Sequence, residues 1–398
     1  MKATRILQRS QPEAMIDVTR LLDRRMQARL PTGIDRVSLE YVRHFGERST
    51  ALVRFSSQWI ELGRRSSEQV FEALLSSTEN VNYLIRSAVT RAFPCSIGRQ
   101  FSAPRYLFNT GHSGLDNIQY THRLQRSGLR PIFFVHDLIP ITHPEYCRPG
   151  EAERHRARIN TMLKTGHGII ANSAATLQEL TAYAQAHGLH MPPAIVAPLA
   201  PPQFPEPDAN TPLTKPYFVM LGTIEPRKNH WLILQLWRQL IERFGEAAPR
   251  LVIIGQRGWE CENVIDLLER CEVLRGFVVE ESICTDAQLA TWLHHAQALL
   301  FPSFTEGYGM PLVEALSIGL PVIASDLSAF REIAGDIPEY LDPLDVMRWK
   351  QLIMDYADTT HPRRLAQLER LHTFSAPTWV THFAQVEALL ASLSAQRI

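Results

Sequence analysis

Two carboxylates frame a glycine-rich turn in FTEGYGMPLVEALSIGLPVIASD, which runs from Phe304 to Asp326. Glu306 stands in the turn, and Glu314 follows eight residues later, about one helical turn past Pro311. Gly307 and Gly309 permit unusual φ values and leave room for a ligand to approach closely. Pro311 suits the first position of a helix. Backbone N–H groups at such a helix start can hold a diphosphate. An acid in the turn then faces the reacting end of a nucleotide ligand. An acid one turn into the helix can accept hydrogen bonds from vicinal hydroxyls, such as those of a ribose. The plainer alternative gives Glu306 a capping role and Glu314 a role at the helix dipole.

A second stretch, LGTIEPRKNH, places Arg227 and Lys228 just before a helix pattern, after a tight exit at Gly222 and Thr223. Cations beside a helix N-terminus are disfavoured by its dipole unless an anion sits there too, so a phosphate site is the sharper reading and a solvated loop the blander one. A third, IIGQRGWE, has Gly255 and Gly258 around Arg257 and carries little information alone.

Together these pieces resemble the EX7E signature of retaining GT-B glycosyltransferases, in particular glycosyltransferase family 4. EGYGMPLVEA, LGTIEPRKN, IIG and GLPVIASDLSAFREIAGD fall in that family's order over about residues 216–336. The resemblance implies a nucleotide diphosphate sugar donor, GDP- or UDP-linked, and no required cofactor. It implies that Arg227 and Lys228 face the donor diphosphate, Glu306 the donor sugar and Glu314 the ribose. The donor side would comprise Gly33, Gly222, Thr223, Gly255, Gly307, Tyr308, Gly309, Met310, Pro311 and Leu312 as well. Many members place an arginine after the glycine that closes the first strand of this domain. Thr223 stands there instead, so phosphate neutralisation leans on Arg227 and Lys228.

In the first half, PTGIDRVSLEYVRHF (31–45) has Gly33 before apolar residues at helical spacing, and resembles the family's first glycine loop; MIDVTRLL (15–22) would be the strand before it. FFVHDLIP ends an apolar run at His136, where family members often contact the donor sugar near its anomeric carbon; a buried structural histidine is the alternative. Asp137 caps, orients His136 or meets the acceptor. In FNTGHSG, Asn109, His112 and Ser113 are acceptor candidates or loop caps. Ser173 in IIANSAATLQEL reads as an N-cap.

These residues need elements that converge. Short continuous apolar runs at 105–109, 131–138, 167–173, 194–199, 217–222, 250–255, 298–303 and 321–326 read as buried parallel strands. Helical patterns at about 151–164, 174–187, 229–243, 285–296 and 311–318 alternate with them. The proline-rich segment Pro198–Pro216 cannot continue a helix or a central strand and reads as a linker. The expected class is α/β, GT-B: two Rossmann-like doubly wound parallel-sheet domains facing a central cleft. Residues 1–200 would be the acceptor side, 201–215 the linker and 216–375 the nucleotide-sugar domain. The helix within 376–398 either crosses back to the first domain or braces its own. The loops after Gly222 and Ser303 would enclose one sugar nucleotide from opposite sides. Residues 55–100 give no clear pattern.

The 398 residues carry 41 Lys and Arg and 41 Asp and Glu, but unevenly. Residues 1–200 hold 25 basic and 16 acidic side chains, and residues 201–398 the reverse. The basic half suits contact with an anionic inner-membrane surface; the plainer alternative is two domains of complementary charge. No nucleic-acid motif accompanies it. No apolar run reaches the length of a membrane span, and the N-terminus lacks a secretory pattern. Five scattered cysteines make neither a CxxC pair nor a zinc spacing, which points to a reduced cytoplasmic compartment. No nucleophile elbow, HExxH or DxD-like metal motif is present, so no metal is implied. The expected activity is retaining transfer of a hexose, mannose being the first guess, to a glycan or lipid-linked acceptor in surface polysaccharide synthesis. The rivals are a nucleotide-sugar epimerase of the same fold and a catalytically silent partner in an assembly complex.

Overall fold

The structure, a computed structural model, describes residues 14–27, 29, 32–55, 58–76, 81–96 and 105–395. The reading of residues 1–13 lies outside the described residues. The first sheet comprises β1 (Ala14–Asp17), β2 (Ser49–Phe55), β3 (Gln58–Glu61), β4 (Tyr106–Asn109), β5 (Arg130–Val135), β6 (Gly168–Ala171) and β7 (Ala194–Val196). Their spatial order is β3-β2-β1-β4-β5-β6-β7, and only β3 is antiparallel to its neighbour. The second comprises β8 (Tyr217–Leu221), β9 (Arg250–Ile254), β10 (Val278–Glu281), β11 (Leu299–Phe301), β12 (Val322–Ser325) and β13 (Glu339–Leu341). It is parallel throughout in the order β10-β9-β8-β11-β12-β13. Residues 197–216, between the sheets, hold no helix or strand.

The apolar runs are continuous because both faces of each sheet are covered. Along β5, Ile132 and Phe134 enter one core with Ile16, Phe108 and Ile170. Phe133 and Val135 enter the other with Met15, Leu107 and Ile169. In β8, Phe218 and Met220 face one layer and Tyr217 and Val219 the opposite one. The two-residue period of the strand divides each run between layers.

The C-terminal helix Trp379–Ala395 packs on the first sheet, sinking Phe383, Val386, Leu389 and Leu393 into the core that holds Tyr41 and Phe45. His382 Nδ1 donates to the Pro198 carbonyl at 3.0 Å, and Nε2 lies 3.0 Å from the Tyr41 hydroxyl. Burial draws His382 down to about 4, so it bridges as the neutral ring.

The strand expected at 15–22 is shorter: β1 stops at Asp17, and Thr19–Met26 is a helix. The Asp17 carboxylate accepts the Thr19 N–H at 3.1 Å and turns the chain there. The region 55–100, which gives no clear pattern in the sequence, supplies β3 and the helices Arg64–Leu75 and Val81–Ser96, and β2 just before it was not expected.

Strand order reverses between β1 and β4 in the first sheet and between β8 and β11 in the second. Ligands of open parallel sheets bind beyond the carboxyl ends at such points. The loops after β8 and β11 therefore leave the second sheet side by side.

Candidate functional site

Those two loops meet directly. The Phe304 N–H donates to the Arg227 carbonyl at 2.8 Å. Glu306 Oε1 accepts from Lys228 Nζ at 2.5 Å and from Ser303 Oγ at 2.9 Å, and pairs with Arg227 Nη1 at 2.6 Å. Arg227 Nη2 reaches Glu225 Oε1 at 2.6 Å. The expected enclosure from opposite sides is thus corrected. Both loops form one wall, because β8 and β11 are adjacent strands, and the first domain supplies the facing wall.

Burial opposes ionisation of Glu306, but Arg227 and Lys228 overcome it and hold the carboxyl at about 2. Burial lowers Lys228, against the pull of Glu306. Burial raises Glu225, with Arg227 and Lys228 acting the other way. Burial opposes the charge on Arg227 too, yet Glu306 and Glu225 hold it protonated. Two acids balance two cations. Glu225 is a site residue that the sequence reading missed. Its signal was an acid two residues before Arg227, inside a stretch otherwise read for its cations.

Glu314 lies in the helix Met310–Ser317, which has a proline in its first turn. It is only 8% exposed, and its carboxylate has no hydrogen bond or ion pair among the described residues. Burial lifts it to about 7; Arg36 acts to lower it and Asp286 to raise it. Arg36 Nη2 and Asp286 Oδ1 pair at 2.9 Å, joining the two domains beside this carboxylate.

The first domain closes on the Glu306 turn. A Cβ on Gly307 would stand 2.3 Å from the His136 carbonyl oxygen and 2.6 Å from Asp137 Cβ, so only glycine fits between the lobes. Ser173 Oγ accepts the Thr176 N–H at 3.0 Å as a helix cap and donates to the Gly307 carbonyl at 2.8 Å. Glu332 of the second domain accepts the N–H groups of Ala174 and Ala175 at 2.6 and 3.1 Å. His136 Nε2 donates to the Thr110 carbonyl at 2.7 Å, which places the ring proton on Nε2. Burial lowers His136 to about 4, so the ring is neutral.

Gly33 opens the helix Gly33–Phe45, where Asp35 Oδ2 accepts the Thr32 N–H at 2.8 Å. A Cβ at Gly33 would meet nothing within 4 Å. Gly255 differs: its Cβ would lie 2.0 Å from the Gly222 carbonyl, so it lets the loop carrying Thr223 pass. Gly309 and Met310 begin the Glu314 helix beside Pro311.

Four expected contacts fall elsewhere. The Tyr308 ring is buried, with its hydroxyl donating to the Leu199 carbonyl at 2.6 Å, and Leu312 fills the second core. Neither side chain is left for a donor. Asn109 Nδ2 donates to the Ser113 carbonyl at 3.1 Å and the Tyr120 hydroxyl at 3.0 Å. His112 Nε2 donates to the Phe134 carbonyl at 2.7 Å. Both are buried and committed within the first domain, which removes the reason to place them on an acceptor. Asp137 remains half-buried at the cleft, with Oδ1 accepting the Ile139 N–H at 3.1 Å. Among the described residues, no group of three or more His, Cys, Asp or Glu could hold a metal ion.

Residues 205–341 match the family described as Glycosyl transferases group 1. The serotype-specific mannosyltransferase WbdA of Escherichia coli is 26% identical over 311 residues, covering 71% of this chain and 36% of its own length. The O-antigen chain mannosyltransferase RfbU of Salmonella typhimurium is 40% identical over 143 residues, covering 34% of this chain and 37% of its own. The chain thus spans little more than a third of the length of these relatives. The crystal structure of Anabaena HepE in complex with UDP and glucose superposes with a TM-score of 0.65 at 14% identity, over 95% of this chain and 99% of that one. The fold is GT-B.

Proposed function

We propose that the protein is a glycosyltransferase that moves a hexose from a nucleotide diphosphate sugar to a glycan or lipid-linked acceptor in bacterial surface polysaccharide synthesis. One observation carries this reading: Glu306 is buried between Arg227 and Lys228 at the strand-order reversal, with the unpartnered Glu314 at the next helix. The names of WbdA and RfbU favour mannose as the sugar. The donor nucleotide is GDP or UDP.

In this reading the diphosphate replaces Glu306 as the partner of Arg227 and Lys228 and meets the N–H groups at the start of Met310–Ser317. Glu314 accepts the ribose hydroxyls. Freed from the cations, the Glu306 carboxylate turns to the donor sugar, opposite His136. As the bond from the anomeric carbon to the phosphate breaks, charge builds on the leaving oxygen. Each fixed cation aimed at it contributes ~3 kcal/mol by analogy with oxyanion sites. The acceptor oxygen bonds to the same face of that carbon, and its proton passes to the leaving phosphate, which gives retention without a protein base. Gly307 seated against His136 and Asp137 excludes water from the reacting centre.

The excess of basic residues in the first 200 supports work at the cytoplasmic face of an anionic membrane. Among the described residues no helix is long and apolar enough to cross one. Thermal unfolding with GDP-mannose, GDP-glucose, UDP-glucose and UDP-GlcNAc tests the proposal. At least one must raise the midpoint of the wild type and leave Lys228→Ala unshifted; no rise with any of them contradicts it.

A further inference from the structure

With Asn109 and His112 committed inside the first domain, acceptor recognition needs other side chains at the Glu306 end of the cleft. The segment after β5 supplies them. Its Tyr146 ring stacks on Phe304 of the second domain, with centroids 5.3 Å apart and planes 7° from parallel. His143 continues the stack on Tyr146 at 6.1 Å and 16°. Trp259 Nε1, also from the second domain, donates to the Tyr146 carbonyl at 3.3 Å, and the Arg148 guanidinium lies 5.2 Å from the Trp259 ring centre.

Three features make this more than packing. The rings of His143, Tyr146, Trp259 and Phe304 are only half-buried, so they are not core residues. The Tyr146 hydroxyl has no hydrogen-bond partner among the described residues. Glu260, directly after Trp259, holds a left-handed φ of 49° that non-glycine residues rarely adopt. The segment also adjoins the ionic cluster: Asp137, Arg227 and Glu225 all act on the Cys147 thiol, which burial pushes up to about 11.

We propose that Tyr146, Phe304 and Trp259, with Arg148, form the subsite that receives the acceptor saccharide. The partly exposed flank of this ring cluster offers apolar surface to a pyranose, while the free phenol and the guanidinium bind its hydroxyls. The nucleotide end of the cleft, at Glu314, is the wrong place for an acceptor; the Glu306 end is where the anomeric carbon lies. Rings come from both lobes, so the subsite depends on the contact between them. The inference rests on the transferase reading above.

The test uses the full chain with GDP-mannose or whichever nucleotide sugar binds. Mannobiose and methyl α-mannoside serve as acceptor probes, followed by saturation-transfer NMR and initial rates. In Tyr146→Ala and Trp259→Ala the acceptor KM rises about tenfold or more while the donor Kd stays within about twofold. Tyr146→Phe, which keeps the ring and loses the hydroxyl, falls between. Acceptor KM changes below about twofold in both alanine variants overturn the subsite, as does a wild type that binds nucleotide sugar but neither saccharide. A wild type that binds no nucleotide sugar instead overturns the transferase reading itself.

Discussion

Lys228 and Glu306, 78 residues apart in sequence, share a hydrogen bond of 2.5 Å between Nζ and Oε1. The pair closes the contact between two loops from adjacent strands, and it sets up a competition. In the proposed function a donor diphosphate and the Glu306 carboxylate seek the same cations. Removing the carboxylate's charge therefore separates binding from turnover. Glu306→Gln is expected to bind donor as well as or better than the wild type, while kcat falls by about 10²-fold or more. Steady-state kinetics with a nucleotide-release assay reads both. A parallel loss of donor affinity would place Glu306 in ground-state binding instead.

Glu314 makes stability depend on pH. Its carboxyl is raised from the usual 4.5 to about 7 by burial. Between those values the folded chain holds a proton that the unfolded chain has lost. Its contribution is thus full at low pH and disappears as pH rises through 7, a change on the order of 3 kcal/mol. Urea unfolding at pH 5 and pH 8 should show the loss in the wild type and not in Glu314→Gln.

The same carboxylate gives donor binding the opposite trend. In the proposed function ribose hydroxyls donate to the ionised form, so binding expels the proton. Affinity should rise with pH up to about 7, by at most tenfold per unit, and level off above it. Calorimetry in buffers of different ionisation enthalpy reads the released proton, and Glu314→Gln should release none.

Two glycines should behave differently. Gly255→Ala forces a Cβ to within 2.0 Å of the Gly222 carbonyl at a φ of 157°, whereas Gly33→Ala meets nothing within 4 Å. Gly255→Ala should lower stability by a few kcal/mol, about the range for overpacking, and displace Lys228. Gly33→Ala should fold normally. Equilibrium unfolding compares them, and equal stability would mean the loops do not pass as closely as the structure places them.

Much of this was legible in the chain. Continuous apolar runs such as PIFFV announce a strand covered on both faces, and Pro311 marks its helix start. Spacing alone could not show that β8 and β11 are neighbours, because strand order is set by how crossovers pack. The mutual grip of Lys228 and Glu306 was therefore hidden, and so was Glu225. Asn109 and His112 misled because a polar residue at a strand end reads the same whether it faces a cleft or turns back under the next strand. β2 and β3 were missed because STALVRF and QWIE are short and mixed in polarity.

The most direct test of the account is calorimetric titration of the best-binding nucleotide sugar into wild type, Lys228→Ala and Glu314→Ala. The account predicts one site in the wild type, about 10²-fold weaker binding without the lysine, and loss of the nucleoside contribution without the glutamate. Unchanged affinity in both variants would show that the donor lies elsewhere, and the assignment of these two loops as its seat would be contradicted.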